Sequence, residues 1–104
     1  MTVQEITDLE KVILGSIIQK ESLIDSHLLE KHITAYFFSD KRNALIYSNL
    51  LQMHFQGIAI SEMSLIQFLA TSNQLESCGN TLYIAELESD GFPGNIDLDR
   101  KSVV

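Results

Sequence analysis

Apolar residues recur at helical spacing through nearly all of this chain, and this pattern constrains its fold more than any other feature. Thr7 and Glu10 match the T-x-x-E pattern of a capping box, so they predict the start of a first helix. One face of that helix carries residues at i, i+3 and i+4 spacing, namely Leu9, Val12, Ile13, Ser16 and Ile17. Gly15, in the middle of the helix, is compatible with a close helix crossing and equally with a tolerated surface position.

Turn and capping residues divide the rest of the chain into further helices. The predicted segments are residues 21–32, about 40–56 between a Ser39 cap and Gly57, Ser61 to Ser72, and Asn80 or Thr81 to Asp90. Their apolar rows include Phe55, Met63 and Leu82, and the aromatic residues of ITAYFF, 33–38, are expected to pack into the core. Asn95 predicts the cap of one more helix, barely begun at Val104. The pattern predicts an all-α, compact single domain, 1–104, of five to six short helices.

The composition is that of a globular protein able to form its own core. Hydrophobic residues make up 45% of the 104 residues and charged residues 20%. The N-terminal residues are acidic where a signal peptide would be basic, and no apolar run approaches the ~20 residues of a membrane span. The single cysteine excludes an internal disulfide. We therefore expect a cytoplasmic domain without membrane contact.

The charges are distributed unevenly along the chain. The net charge is −7, and residues 43–99 contain seven acids and no lysine or arginine. Because affinity for nucleic acids comes largely from lysine and arginine neutralising phosphates, direct DNA or RNA binding is not expected. A partner protein with a basic face fits this distribution better.

No nucleotide or metal motif is found in the sequence. Neither G-x-x-x-x-G-K-[ST] nor G-x-G-x-x-G occurs. His27 and His32 are five residues apart and would point in different directions on a helix, so with His54 and Cys78 they make a poor ligand set. The sequence predicts no metal site and no cofactor-binding residue.

The remaining candidates for catalysis are also weak. Cys78 has Glu76 nearby and no neighbouring cation that would activate its thiol, so we predict that it fills a small apolar gap in the core. Glu86 and Glu88 are spaced i, i+2, which places them on different sides of a helix, and we predict a solvated surface there. No catalytic residue is expected, and an enzyme is the weakest of the functions considered.

The order of several motifs resembles the N-terminal domain of the DnaB-type hexameric replicative DNA helicases of bacteria and phages. The resemblance extends over about residues 8–97. It is carried by E-x-x-[VI]-L-G at 10–15, Phe37-Phe38, Gly57, L-x-x-x-G-x-x-x-Y-[IL]-x-x-L at 75–87, and Pro93 followed by Asn95.

This resemblance implies an all-α domain that is not the motor of the helicase. Such domains form dimers that assemble into a collar on the hexameric ring, and they help to dock primase; a helicase loader is a further expected partner. ATP and Mg would be needed only by a RecA-like ATPase domain, which is not among these residues. Residues 95–104 would begin the helical hairpin or linker that follows in the family.

The candidate residues for self-association are Phe92, Ile96 and Leu98, which lie at or after the Phe92-Pro93-Gly94 break and have little of the domain left to pack against. Ordinary packing of the last turn onto the core explains them equally well. Two alternatives to the helicase domain stay open at this point. They are the helicase-binding domain of a primase, and a stand-alone replication adaptor of a phage or mobile element with the same fold.

Overall fold

A computed structural model describes residues 2–24 and 33–91, and these residues form helices and turns without any strand. The α-helices are α1 (Val3–Gln19), α2 (Lys41–Phe55), α3 (Glu62–Thr71) and α4 (Asn80–Asp90). Two 3₁₀ helices, Ala35–Phe37 and Glu76–Cys78, precede α2 and α4. The all-α prediction is confirmed, whereas the predicted number of five to six helices is slightly off. The predicted helix over 21–32 lies mostly outside the described residues, and the one from Asn95 lies wholly outside them.

Helix α1 begins earlier than the sequence pattern predicted. Thr2 is its N-cap, and the Thr2 side chain accepts a hydrogen bond of 3.1 Å from the backbone N–H of Glu5. Thr7 lies inside the helix, where its hydroxyl donates to the carbonyl of Val3. The prediction of a capping box at Thr7 and Glu10 was therefore wrong. The same T-x-x-E pattern also occurs at Thr2 and Glu5, and the helix begins there.

Helices α1 and α4 cross closely at Gly15. A Cβ atom on Gly15 would lie 1.7 Å from the carbonyl oxygen of Leu87 and 2.8 Å from the backbone nitrogen of Gly91. The Gln19 side-chain amide donates to the carbonyls of Glu88, at 2.6 Å, and Gly91, at 3.0 Å. These bonds give partners to carbonyl groups at the C-terminal end of α4. Of the two explanations considered for Gly15, the close crossing is confirmed.

The predicted boundaries of α2 and α3 are largely confirmed. The N-cap of α2 is Asp40, one residue after the predicted Ser39, and Gly57 follows the helix with a φ of +77°. Ser61 caps α3, and its side chain accepts a hydrogen bond from the backbone N–H of Ser64. Capping residues therefore predicted the end of α2 and the start of α3 to within one residue.

The core lies between α1, α2 and α4 and is completed by one face of α3. Its fully buried residues include Ile13, Ile17, Leu50, Leu69 and Ile84. Phe38 packs on Tyr47 with ring centroids 4.8 Å apart, as expected for the aromatic connector, but Tyr36 points outward. Phe55, Met63 and Leu82 are also exposed, by 68%, 71% and 74% respectively. Apolar periodicity overestimated the core at these positions because each lies outside its helix's packed face.

Candidate functional site

A buried carboxylate joins α1 to the start of α2. Glu10 is fully buried on α1, and its side chain accepts hydrogen bonds from the Ser39 backbone N–H at 2.7 Å and the Ser39 hydroxyl at 2.8 Å. It also accepts from the Asp40 N–H at 3.3 Å and from the Asn43 side-chain amide at 3.1 Å. The negative charge sits where the α2 dipole is positive, so it stabilises that end of the helix.

Tyr83 extends this network to α4. Its hydroxyl donates to the Asn43 side-chain oxygen, and the Arg42 guanidinium lies 4.2 Å from the centre of the Tyr83 ring. Burial raises the pKa of Tyr83 to about 12, although the charge of Arg42 acts in the opposite direction. The phenol therefore stays protonated at neutral pH and keeps its donor.

Sequence reasoning missed this role of Glu10, because it assigned the residue to the cap of its own helix. A signal was nevertheless present. Glu10 precedes Ile13, Leu14 and Ile17 by three, four and seven residues, which places an acid on the buried face of α1. A carboxylate in that position needs hydrogen-bond donors from another element. With donors already converging on both of its oxygens, the Glu10 carboxylate acts as a structural acceptor.

The corner at Cys78 and Gly79 also has a structural role. Cys78 is fully buried, and burial raises the pKa of its thiol to about 11. Gly79 has a φ of +91°, and a Cβ atom there would lie 2.7 Å from the Cβ of Tyr83. Asn80 is the first residue of α4 and Gly79 its N-cap, so the predicted cap at Asn80 or Thr81 was slightly misplaced. The core-filling role predicted for Cys78 is confirmed.

Of the four residues considered as metal ligands, the structure describes only His54 and Cys78. His54 Nδ1 lies 3.0 Å from a carboxylate oxygen of Glu21, and the other Glu21 oxygen accepts from the Ile60 N–H. His27 and His32 lie outside the described residues. Among residues 2–24 and 33–91, no group of three His, Cys, Asp or Glu side chains is arranged to hold a metal ion.

The acids of α4 divide between two faces of the helix. Glu86 and Asp90 face α1, where the Lys11 ammonium lies 3.6 Å and 3.4 Å from their respective carboxylates. Glu88 faces α3. The pKa of Glu88 is raised by burial, and further by a hydrogen bond with Glu62 and the charge of that carboxylate. The predicted separation of Glu86 and Glu88 is confirmed, but Glu88 lies beside a second carboxylate and is only partly solvated.

A groove lies where Glu62 and Glu88 meet, and we call it the α3–α4 groove. Its volume is about 610 Å³. Its walls are formed by Ser61, Glu62, Met63, Ile66, Gln67 and Glu88. The candidate interface residues Phe92, Ile96 and Leu98 lie outside the described residues and stay a prediction. In the part of the chain that is described, no helix combines the length and the apolar character that a membrane span requires.

These features together define an all-α domain whose buried polar groups hold helices against one another. The chain belongs to the family described as DnaB-like helicase N terminal domain, whose model matches residues 2–96. A comparison with curated proteins gives no match. The family membership supports a role as a domain of a replicative helicase, and within such helicases the N-terminal domain is not the catalytic part.

Proposed function

We propose that this chain is the oligomerisation and protein-docking domain of a replicative DNA helicase, without catalytic activity of its own. It would contribute to the collar of a hexamer and dock primase or a helicase loader during DNA replication. The observation that carries the proposal is the family match over residues 2–96, since N-terminal domains of this family are known for helicase oligomerisation. ATP and Mg would be bound by the RecA-like domain of the parent protein.

The distribution of charge supports docking of protein and not of nucleic acid. Lys11 is occupied by two carboxylates of α4, and Arg42 lies on the Tyr83 ring and 3.5 Å from Asp40. Residues 43–91 contain aspartate and glutamate but no lysine or arginine. A surface of this kind repels phosphates and attracts a basic protein face.

The network around Glu10 supports an assembly role. It joins α1, α2 and α4 through hydrogen bonds that are buried or partly buried, so the three helices keep one relative orientation. A domain that repeats around a ring needs such a fixed shape, because each copy must present the same surface to its neighbours. The family match also favours the helicase over the alternative of a primase domain.

Sedimentation velocity and a binding assay test both halves of the proposal. We expect self-association at micromolar concentrations, and co-elution with the primase or the loader from the same source. Ile96→Asp and Leu98→Asp should weaken self-association, whereas Val3→Asp, at an exposed position on α1, is the control for an added charge. A domain that stays monomeric to high micromolar concentrations, and also binds neither partner, would refute the proposal. A Walker A sequence in the same reading frame would support the helicase parent over a stand-alone adaptor.

A further inference from the structure

The α3–α4 groove exposes apolar surface that the rest of the described chain does not cover. Met63 is a large side chain in its wall and is 71% exposed, and Ile66, one turn further along α3, is partly buried beside it. A volume of about 610 Å³ is enough to admit the side chains of another protein segment. Methionine suits such contacts because its flexible thioether adapts to the shape of a partner.

Two carboxylates of like charge face each other across this groove. Glu62 belongs to the first turn of α3 and Glu88 to the last turns of α4, and both residues line the groove. Bringing two carboxylates together is unfavourable unless a proton or another cation lies between them.

Among the described residues, a cation lies beside the other acids of α4 but not beside this pair. Lys11 lies between Glu86 and Asp90 on the α1 side of the helix. Residues 43–91, which include all of α3 and α4, contain no lysine or arginine. No ion pair of Glu62 or Glu88 with a lysine or arginine is seen within residues 2–24 and 33–91. Within the described residues, no cation therefore complements the charge of the groove, which suits a basic partner.

We propose that the α3–α4 groove binds an amphipathic segment of a partner protein. The segment would place an apolar side chain on Met63 and Ile66, and a lysine or arginine between Glu62 and Glu88. A cation there replaces a repulsion by two charge-assisted hydrogen bonds, while the apolar contact removes the methionine surface from water. This inference rests on the docking role proposed above and assigns that role to a particular surface.

A synthetic amphipathic peptide of leucine and lysine, with leucines at i, i+3 and i+4, is the probe for this site. The protein, labelled with ¹³C at its methionine and isoleucine methyl groups, is titrated with the peptide and followed by NMR. We expect the methyl signals of Met63 and Ile66 to shift in a saturable manner. A peptide with glutamate in place of every lysine should leave them unchanged.

Variants of single acids distinguish binding in the groove from attraction to the overall negative charge of the domain. Glu62→Gln and Glu88→Gln should each weaken binding of the lysine peptide by about two- to fivefold, as expected for the loss of one partly exposed ion pair. Glu86→Gln removes the same charge from the other face of α4, and it should change the affinity by less than about twofold.

Three results would overturn the inference. The first is equal affinity for the glutamate and lysine peptides, and the second is an equal loss of affinity in Glu86→Gln and Glu88→Gln. The third is a shift of the Met63 methyl signal, without peptide, in the double variant Arg100→Gln, Lys101→Gln. The last result would mean that the chain's own C-terminal residues occupy the groove.

The Glu62→Gln, Glu88→Gln double variant separates failure of this inference from failure of the proposed function. Undiminished binding of primase or loader by the double variant would refute the groove and leave the proposed function standing. If the wild-type domain neither self-associated nor bound either partner, the proposed function itself would be refuted.

Discussion

Replacement of Gly15 by alanine should destabilise the protein, although the same change in an ordinary helix interior is stabilising. Alanine is favoured over glycine by about 1 kcal/mol in the middle of a helix. In α1, however, the new Cβ would lie 1.7 Å from the Leu87 carbonyl oxygen, where ordinary contacts begin near 3.4 Å. Since the obstructing atoms belong to the backbone, α4 has to move away from α1 as a unit.

The expected cost follows from what that movement disrupts. Overpacking of this kind costs about 1–3 kcal/mol. The two hydrogen bonds from Gln19 to the carbonyls of Glu88 and Gly91 would lengthen or break, at about 0.5–1.5 kcal/mol each. After allowing for the gain in helix propensity, we expect a net loss of about 1–5 kcal/mol. For a domain of this size, each kcal/mol lowers the Tm by roughly 4–8 °C.

Urea denaturation followed by circular dichroism measures this loss directly. The control is Gly57→Ala, where φ is +77° and no atom lies within 4 Å of the added Cβ. That variant should lose only the roughly 1–2 kcal/mol that the left-handed conformation costs a residue with a side chain. If Gly15→Ala were as stable as the wild type or more stable, the close crossing of α1 and α4 would be refuted.

Four further predictions concern the buried polar network, the corner before α4 and the acids of the α3–α4 groove. Glu10→Gln should cost about 2–3 kcal/mol in urea denaturation, because an amide NH₂ would face donors that a carboxylate accepts; a loss below about 0.5 kcal/mol would contradict the network. The Cys78 thiol, with a pKa raised to about 11, should react with Ellman's reagent only as fast as the domain unfolds, and Cys78→Ala should leave partner binding intact. Gly79→Val should abolish cooperative thermal unfolding, since its Cβ would meet Tyr83 at 2.7 Å with φ at +91°. Glu88→Gln should raise the free energy of unfolding slightly at neutral pH. A carboxyl whose pKa is raised on folding stabilises the fold below its unfolded pKa of about 4.5 and loses that contribution as pH rises. The gain should therefore vanish in acid, and the control Glu86→Gln, which removes a partner of Lys11, should show no such gain.

Much of the fold could be predicted because its signals lie within a few residues of one another. Gly57 and Ser61 end one helix and begin the next through their own backbone and side-chain chemistry, and both predictions are confirmed. Cys78 was assigned to the core because its neighbours offered no charge that would activate it, and it is fully buried. The boundaries that failed did so where the same local pattern occurred twice, as with the two T-x-x-E matches near the start of α1.

The helical class and most of the helix limits could be predicted from the amino-acid sequence, because periodicity and capping act over one or two turns. The resemblance to the family could be predicted from it as well. The packing of the helices reveals where Glu10 finds its donors, since these lie 29 to 33 residues further along the chain. It also reveals that Gly15 is a crossing point, and that Glu86 lies beside Lys11 while Glu88 lies beside Glu62. Hydrogen bonds and ion pairs between helices depend on how the helices are placed against one another, and spacing along the chain carries no record of that placement.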